Sequence, residues 1–346
     1  MRVLIIKTSS LGDIIHALPV LDFLHKASPG IEIGWVVDEN FKELLLGNPL
    51  LHRVHIVDSR KWRKHPFSAQ TPLEVSRLWR EIRESGYDTV FDIQGNLKSA
   101  LIGVASGVKR RIGFPVERLQ EKVNAWFTTD KSPYSPEDNH AHLRCLSAVN
   151  VPFALPYREM ELISEISTNP DDDKFIEELL ADITGEKKIL FHCGTTWQTK
   201  FWHHDGWVEL GGRLTTRFPD AAILFSWGSD AEKKMAAEIA SNIGRQAVVI
   251  DRYPLKKFAS LLKQVAVVVG ADTGPVHLAA AVGTPTVSFY RASDGSESGP
   301  RGNRHVIVQS KMPCTRCFRT SCEKDAECRE SITVDELFNG ICRLLD

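Results

Sequence analysis

"VVVGADTGPVHLAAAVGTPTVSFY", residues 267 to 290, decides the fold. The apolar run "VAVVVGAD" (265–272) reads as a buried strand. Thr273-Gly274-Pro275 then opens a small-residue helix over 275–282, because proline suits the first helical position, where its missing N–H costs nothing. "TPTVSFY" (284–290) returns as a second strand. Near-continuous apolar strands with a helix between them belong to a parallel sheet covered on both faces.

The same alternation extends in both directions. On the near side lie "KKILFHC" (187–193), a helix over 204–217, "AAILFSW" (221–227), a helix over 230–242, "AVVID" (247–251) and a helix over 254–264. The first half repeats the theme with "RVLIIK" (2–7), "IEIGWVV" (31–37), "VHIVD" (54–58), "DTVFDI" (88–93) and "RRIGF" (110–114), and with helices over 14–27, 73–85 and 97–105. A polar stretch, "SEISTNPDDDK" (164–174), separates the halves and reads as a linker. The expectation is an α/β chain of two Rossmann-like, doubly wound domains, 1–164 and 165–330. A C-terminal helix over 331–346 follows, with Thr333 as its N-cap.

Bulk composition narrows the function classes. The 346 residues suit two domains, and 42% hydrophobic with 25% charged residues is ordinary for a globular protein. Lys plus Arg is 43 against 44 Asp plus Glu, so a generic nucleic-acid binder is not expected. No window approaches the ~18 apolar residues of a membrane span, and the N-terminus lacks the regions of a signal peptide. The protein is read as cytoplasmic and, by default, monomeric.

Ligands of such sheets bind beyond the carboxyl ends of the strands. After the strand at 265–272, Asp272, Thr273 and Gly274 combine a carboxylate, a hydroxyl and free helix N–H groups, and His277 stands on the first turn. Together with the following strand they read as a pyrophosphate site. "FHCGTTWQTKFW" (191–202) adds Thr195, Thr196 and Lys200, a set that suits a diphosphate or an ordinary solvated loop. Glu232, at a helix start, suits ribose hydroxyls or the helix dipole. "KTSSLGDIIHALP" (7–19) lacks the glycine spacing of a phosphate loop and holds one carboxylate, Asp13. Arg60, Lys61, Arg63 and Lys64 form a basic run that is either a solvated face or a rim for an anionic acceptor. Cys314, Cys317, Cys322 and Cys328 lack the spacing of a common zinc finger and are read as free or disulfide-capable rather than as a structural zinc site. No metal and no cofactor is expected. The only D-x-D match, Asp171 to Asp173, falls in the linker.

"KTSSLGDIIHALP", "DIQGNLKSA" (92–100), the two threonines with Lys200 and Trp202, "DTGPVHLAAAVGTPTVSFY" and "SESGPRGNRHVIV" occur in an order that resembles glycosyltransferase family 9, the bacterial heptosyltransferases. The resemblance spans residues 1 to about 342. It implies the GT-B fold, two Rossmann-like domains facing a central cleft. It further implies inversion at the anomeric centre, an ADP-heptose donor on the C-terminal domain, and an acceptor, Kdo2-lipid A, on the N-terminal one. The enzyme would then work at the cytoplasmic face of the inner membrane. Asp13 matches the general base, with Ser10 and Gly12 shaping a tight turn that aims it. Lys200, Thr195, Thr196, Glu232, Asp272, Thr273, Gly274 and His277 match donor positions, and Lys200 is counted with Asp13 as catalytic because it would meet the charge on the leaving diphosphate. Arg60, Arg63, Lys64 and Lys98 match acceptor positions, and Ser10, Gly12 and Arg118, which lies close to an expected acceptor arginine, are counted with them. Three departures stand out: His203 follows Trp202 where the family usually has proline, "WQT" (197–199) stands before Lys200 in place of an acidic or basic run, and Gln120 stands where an acceptor arginine is expected. Within the family, transfer of a second heptose or of another sugar stays open; outside it, a dinucleotide oxidoreductase or epimerase lacks its glycine fingerprint here, and a non-catalytic nucleotide-sugar binder stays open.

Overall fold

A computed structural model describes residues 1–64, 68, 70–164 and 166–346. The chain divides into two compact units, Met1–Ser167 and Thr168–Asp346. The strands of the first are β1 (Arg2–Ile6), β2 (Glu32–Asp38), β3 (Arg53–Val57), β4 (Thr89–Asp92), β5 (Arg110–Gly113) and β6 (Asp130–Lys131). Those of the second are β7 (Lys187–His192), β8 (Ala221–Ser226), β9 (Ala247–Val249), β10 (Val267–Ala271), β11 (Thr286–Tyr290) and β12 (His305–Gln309).

Each unit holds one six-stranded parallel sheet. The orders are β3-β2-β1-β4-β5-β6 and β12-β11-β10-β7-β8-β9. Both correspond to the doubly wound order 3-2-1-4-5-6, whose direction reverses beside the first strand. The switch points therefore lie between β1 and β4, paired Val3 to Thr89, and between β7 and β10, paired Ile189 to Val267.

Burial follows the apolar runs. Leu4, Ile6, Val36, Val90 and Ile102 pack in one cluster of the first unit, with Trp62 and Trp79 against it. In the second unit Phe191, Trp202, Trp207, Phe225 and Phe289 form an aromatic core, to which the terminal helix Val334–Leu345 adds Leu337 and Ile341. That helix begins at Thr333, whose hydroxyl accepts from the Glu336 amide at 3.3 Å.

Several expectations are corrected. The helix expected over 14–27 is two helices, Leu11–Ala17 and Pro19–Ala27, because Pro19 has no N–H to continue the first. The tight turn expected at Ser10 and Gly12 is instead the first helix's N-terminus, with Ser10 as N-cap and Gly12 inside the first turn. The linker reading of 164–174 fails from Pro170 onward, where the helix Pro170–Asp182 begins; Asn169 caps it, and Asp171, Asp172 and Asp173 complement its positive end. Of the linker residues, Glu165 lies outside those described. β12 and the helix Ala141–Val149 were not expected from the sequence.

Candidate functional site

The first switch point is organised by side chains that tie two loops together. Asp92, the last residue of β4, is buried and accepts from the Gln94 and Gly95 amides, from Ser99 Oγ at 2.9 Å and from Asn124 Nδ2 at 2.7 Å. Burial raises its carboxyl above the ordinary value despite these donors. Gly95 has φ of +74°, a conformation glycine adopts without strain. The fold of this turn aims Gln94 back at the β1 loop, where its Oε1 accepts from the Thr8 amide at 2.9 Å and the Ser9 amide at 3.1 Å.

The loop so held carries Asp13. Its Oδ2 accepts from the Ser10 amide at 3.1 Å and from Ser10 Oγ at 2.6 Å, while Oδ1 lies 3.7 Å from Lys7 Nζ. The side chain is still half exposed. Its packed surroundings push the carboxyl up, but Lys7, the two Ser10 donors and His16 outweigh them and hold it below its ordinary value. Asp13 is thus an ionised carboxylate on the wall of a cavity of about 290 Å³. Lys7, Gln94, Arg118, Gln120 and Arg144 share that wall. Arg118, an expected acceptor residue, is braced there by Asn139 and the Ser135 carbonyl. Ser10 acts through Asp13, and Gly12 contributes backbone only.

Lys98 does not line this cavity. It lies near Asp38 and Arg63, and burial lowers its ammonium below the ordinary value although Asp38 favours the charge. Asp38 also accepts from Ser59 Oγ at 2.5 Å, which ties it to the helix Ser59–Lys64 carrying Arg60, Arg63 and Lys64. All three of these basic residues are exposed. The structure therefore sorts the expected acceptor residues into two groups, Asp13 with Arg118, and Lys98 with the basic helix.

The second switch point holds the other group. Asp272 follows β10, and its Oδ2 receives Lys200 Nζ at 2.6 Å while Oδ1 receives His277 Nε2 at 2.9 Å. All three side chains are largely buried. Burial pushes the Asp272 carboxyl up, but His277 and Lys200 overcome it and hold it far below the ordinary range. Lys200 also packs over the Trp197 ring at 4.7 Å. His277, read as a donor to phosphate, directs this nitrogen to Asp272 instead. The helix Gly274–Ala281 starts here with Thr273 as N-cap and Pro275 in its first turn; Thr273 Oγ1 donates to the Ala271 carbonyl. Glu232 caps the helix Asp230–Ile243, accepting from the Gly228 and Ser229 amides at 2.6 and 3.2 Å. A Cβ at Gly194 would lie 2.3 Å from the Glu232 carboxyl carbon, so Glu232 sits directly against the loop of Thr195 and Thr196.

Sequence reading missed the residues that hold Lys200 in place. Trp202 is buried, and its Nε1 donates to the Ile332 carbonyl at 3.0 Å. Arg291 is fully buried; it donates to the Phe201 carbonyl and to Asp325 Oδ1 at 2.6 Å. Thr199 Oγ1 donates to the Arg319 carbonyl. The cysteine-bearing segment is thereby stitched to the lysine loop through its backbone. Its four cysteines are free thiols, and among the described residues no three metal-binding side chains come together. An arginine after an apolar strand carries no signal that it will be buried; Gln94 and Arg144 were equally silent.

Ionised groups at two topological switch points are the kind of equipment that suits an anionic substrate. The family model of glycosyltransferase family 9 (heptosyltransferase) matches residues 75–327. Lipopolysaccharide heptosyltransferase 1 of Pseudomonas aeruginosa is 34% identical over 325 residues, 93% of this chain and 87% of that protein. The structure of E. coli heptosyltransferase WaaC with ADP superposes with a TM-score of 0.76 at 26% identity, covering 99% of this chain and 100% of that one. WaaC with ADP-2-deoxy-2-fluoro heptose gives 0.75 at 27%, covering 99% of each. The chain therefore belongs to glycosyltransferase family 9, the heptosyltransferases, and is a glycosyltransferase with the GT-B fold.

Proposed function

We propose that this chain is an inverting heptosyltransferase. It moves L-glycero-D-manno-heptose from ADP-heptose to Kdo of the lipopolysaccharide inner core, with Kdo2-lipid A as acceptor and the cytoplasmic face of the inner membrane as its place of work. The observation that carries this reading is Asp13, an ionised, half-exposed carboxylate on a cavity that it shares with Lys7, Arg118 and Arg144. Three cations suit an anionic sugar acid, and the carboxylate among them suits a proton acceptor.

The acceptor hydroxyl gives its proton to Asp13 as its oxygen bonds to the anomeric carbon. The bond from that carbon to the ADP oxygen breaks on the opposite face, and ADP leaves with the electron pair. Charge then grows on the β-phosphate. Lys200 and the N–H groups around Gly274 are the donors for it, with Thr195, Thr196 and Thr273 adding hydroxyls and Glu232 the ribose contact. Asp272 and His277 hold Lys200 in this position. A carboxylate held below its ordinary pKa still serves, because the alcohol becomes acidic only late in the transition state.

The test is transfer from ADP-heptose to Kdo2-lipid A, run beside other sugar nucleotides and beside an already heptosylated acceptor. Heptose transfer to Kdo2-lipid A is expected. Preference for the heptosylated acceptor would reassign the chain to a later step, and ADP-heptose binding without acceptor-dependent ADP release would make it a binding protein.

A further inference from the structure

The helix Leu97–Ala105 is apolar on the side that should be wet. Ser99, Ala100, Ile102 and Gly103 are buried, yet Leu97, Leu101 and Val104 remain exposed. Their spacing of four and three places them on one stripe. The short helix Lys122–Trp126 packs beside it, joined where the Leu97 amide donates to Glu121 Oε2 at 2.8 Å. That neighbour carries Trp126, 83% exposed. A helix apolar on both sides has its second side covered in use.

Charge identifies the cover. Lys98 stands on the same helix, next to Leu97, and feels the charge of Arg63. Through Asp38 and Ser59 it adjoins the helix bearing Arg60, Arg63 and Lys64, all exposed. Lys122 adds a further exposed cation beside Trp126. The carboxylates against these elements include Asp38, engaged with Ser59 and Asn40, Glu121, engaged with the Leu97 amide, Glu74, engaged with Lys61 and Trp62 of the basic helix, and Asp58, engaged with the Lys61 amide; Arg60, Arg63 and Lys64 remain exposed beside them. An exposed tryptophan and a leucine stripe bordered by cations match the interface of an anionic bilayer, where an amphipathic ring sits at headgroup depth and lysines meet phosphates. Among the described residues no helix is long and apolar enough to cross a membrane, so such contact would be peripheral.

We infer that Leu97, Leu101, Val104 and Trp126 form a docking face for an anionic lipid surface, with Lys98, Lys122 and the basic helix at its border. The purpose rests on the lipid-borne acceptor proposed above; the contact itself needs neither donor nor acceptor. The experiment is co-sedimentation of the full chain with vesicles of phosphatidylglycerol and phosphatidylcholine, compared with phosphatidylcholine alone, using wild type and the double variant Leu101→Ser, Trp126→Ser. Wild type is expected to bind the anionic vesicles, and the variant to bind them about tenfold more weakly or worse. ADP affinity, proposed above as a property of the second unit, should stay the same, and an unchanged near-UV circular dichroism spectrum and urea unfolding profile report that the first unit, which carries both substitutions, is folded. Vesicle binding equal in both proteins would overturn the assignment, as would no binding by wild type. A wild-type dimer that the double variant dissolves, without change in vesicle binding, would give the face to a second copy of the chain. Because no sugar is present, these outcomes are read apart from the transfer assay.

Discussion

Asp13 and Asp272 are both ionised carboxylates just beyond a central strand, and their partners separate their roles. Asp272 is saturated, with Lys200 at 2.6 Å and His277 at 2.9 Å. Asp13 keeps one face open, with its nearest cation at 3.7 Å. A saturated carboxylate positions its neighbours; an open one can take a proton. Asp13→Asn should therefore lower transfer by about 10²–10⁴-fold with little change in ADP affinity. Because its pKa lies below the ordinary value of 3.8, Asp13 contributes no acid limb to the rate near neutral pH; a loss assigned to it should begin only below about pH 4. Lys200→Ala should weaken ADP binding and cut turnover by roughly 10²–10³-fold, measured by calorimetry and initial rates; unchanged ADP affinity would remove its phosphate role. Asp272→Ala leaves a largely buried ammonium without its charge partner and should cost about 3 kcal/mol in urea unfolding. The sign with pH follows from its depressed pKa. Its contribution is complete above about pH 4 and is lost as pH falls through the native value, so the gap between wild type and variant should narrow in acid. Residue types alone could nominate these groups, since a carboxylate after an apolar run stands out. They could not show that His277 faces Asp272, because that pairing depends on how the helix start is oriented.

At the scale of elements, the loops matter through what braces them. Glu232 closes a cap on its own helix and simultaneously fills the space beside Gly194. Gly194→Ala should push the carboxylate out of its cap, at a cost of about 1 kcal/mol, and lower ADP affinity in parallel. Stability loss with unchanged ADP affinity would leave Glu232 as a cap alone. The strand–helix–strand periods were readable for most of the chain because buried parallel strands are continuous apolar runs. Element ends were less readable. Pro19 divides what looked like one helix, and an acidic run that resembled a linker starts another, because carboxylates are favourable at a helix N-terminus. β12, "HVIVQ", has an apolar centre, but its neighbours "PRGNR" gave no strand signal.

Across the whole molecule, each unit has its own sheet, core and switch point. ADP at a hundred times its Kd should stabilise the second unit by about 2.7 kcal/mol. Hydrogen exchange is the suitable measurement, with protection expected in the loops after β7 and β10 and none in the loop carrying Asp13. Protection of the first unit's loops instead would reverse the proposed assignment of donor and acceptor. By itself the sequence determined the α/β class, the repetition of one architecture, and the strand ends where chemistry sits. Those follow from local periodicity and from the few residue types that serve anions. Tertiary structure alone decided that Gln94 clamps the loop of Asp13, that Arg291 and Trp202 secure the segment of Lys200, and that Lys98 leaves the cavity to join the basic helix. Such pairings join residues from about 35 positions apart, as Lys98 and Arg63, to 130 apart, as Trp202 and Ile332. Their distances are set by sheet order and packing, which no local pattern encodes.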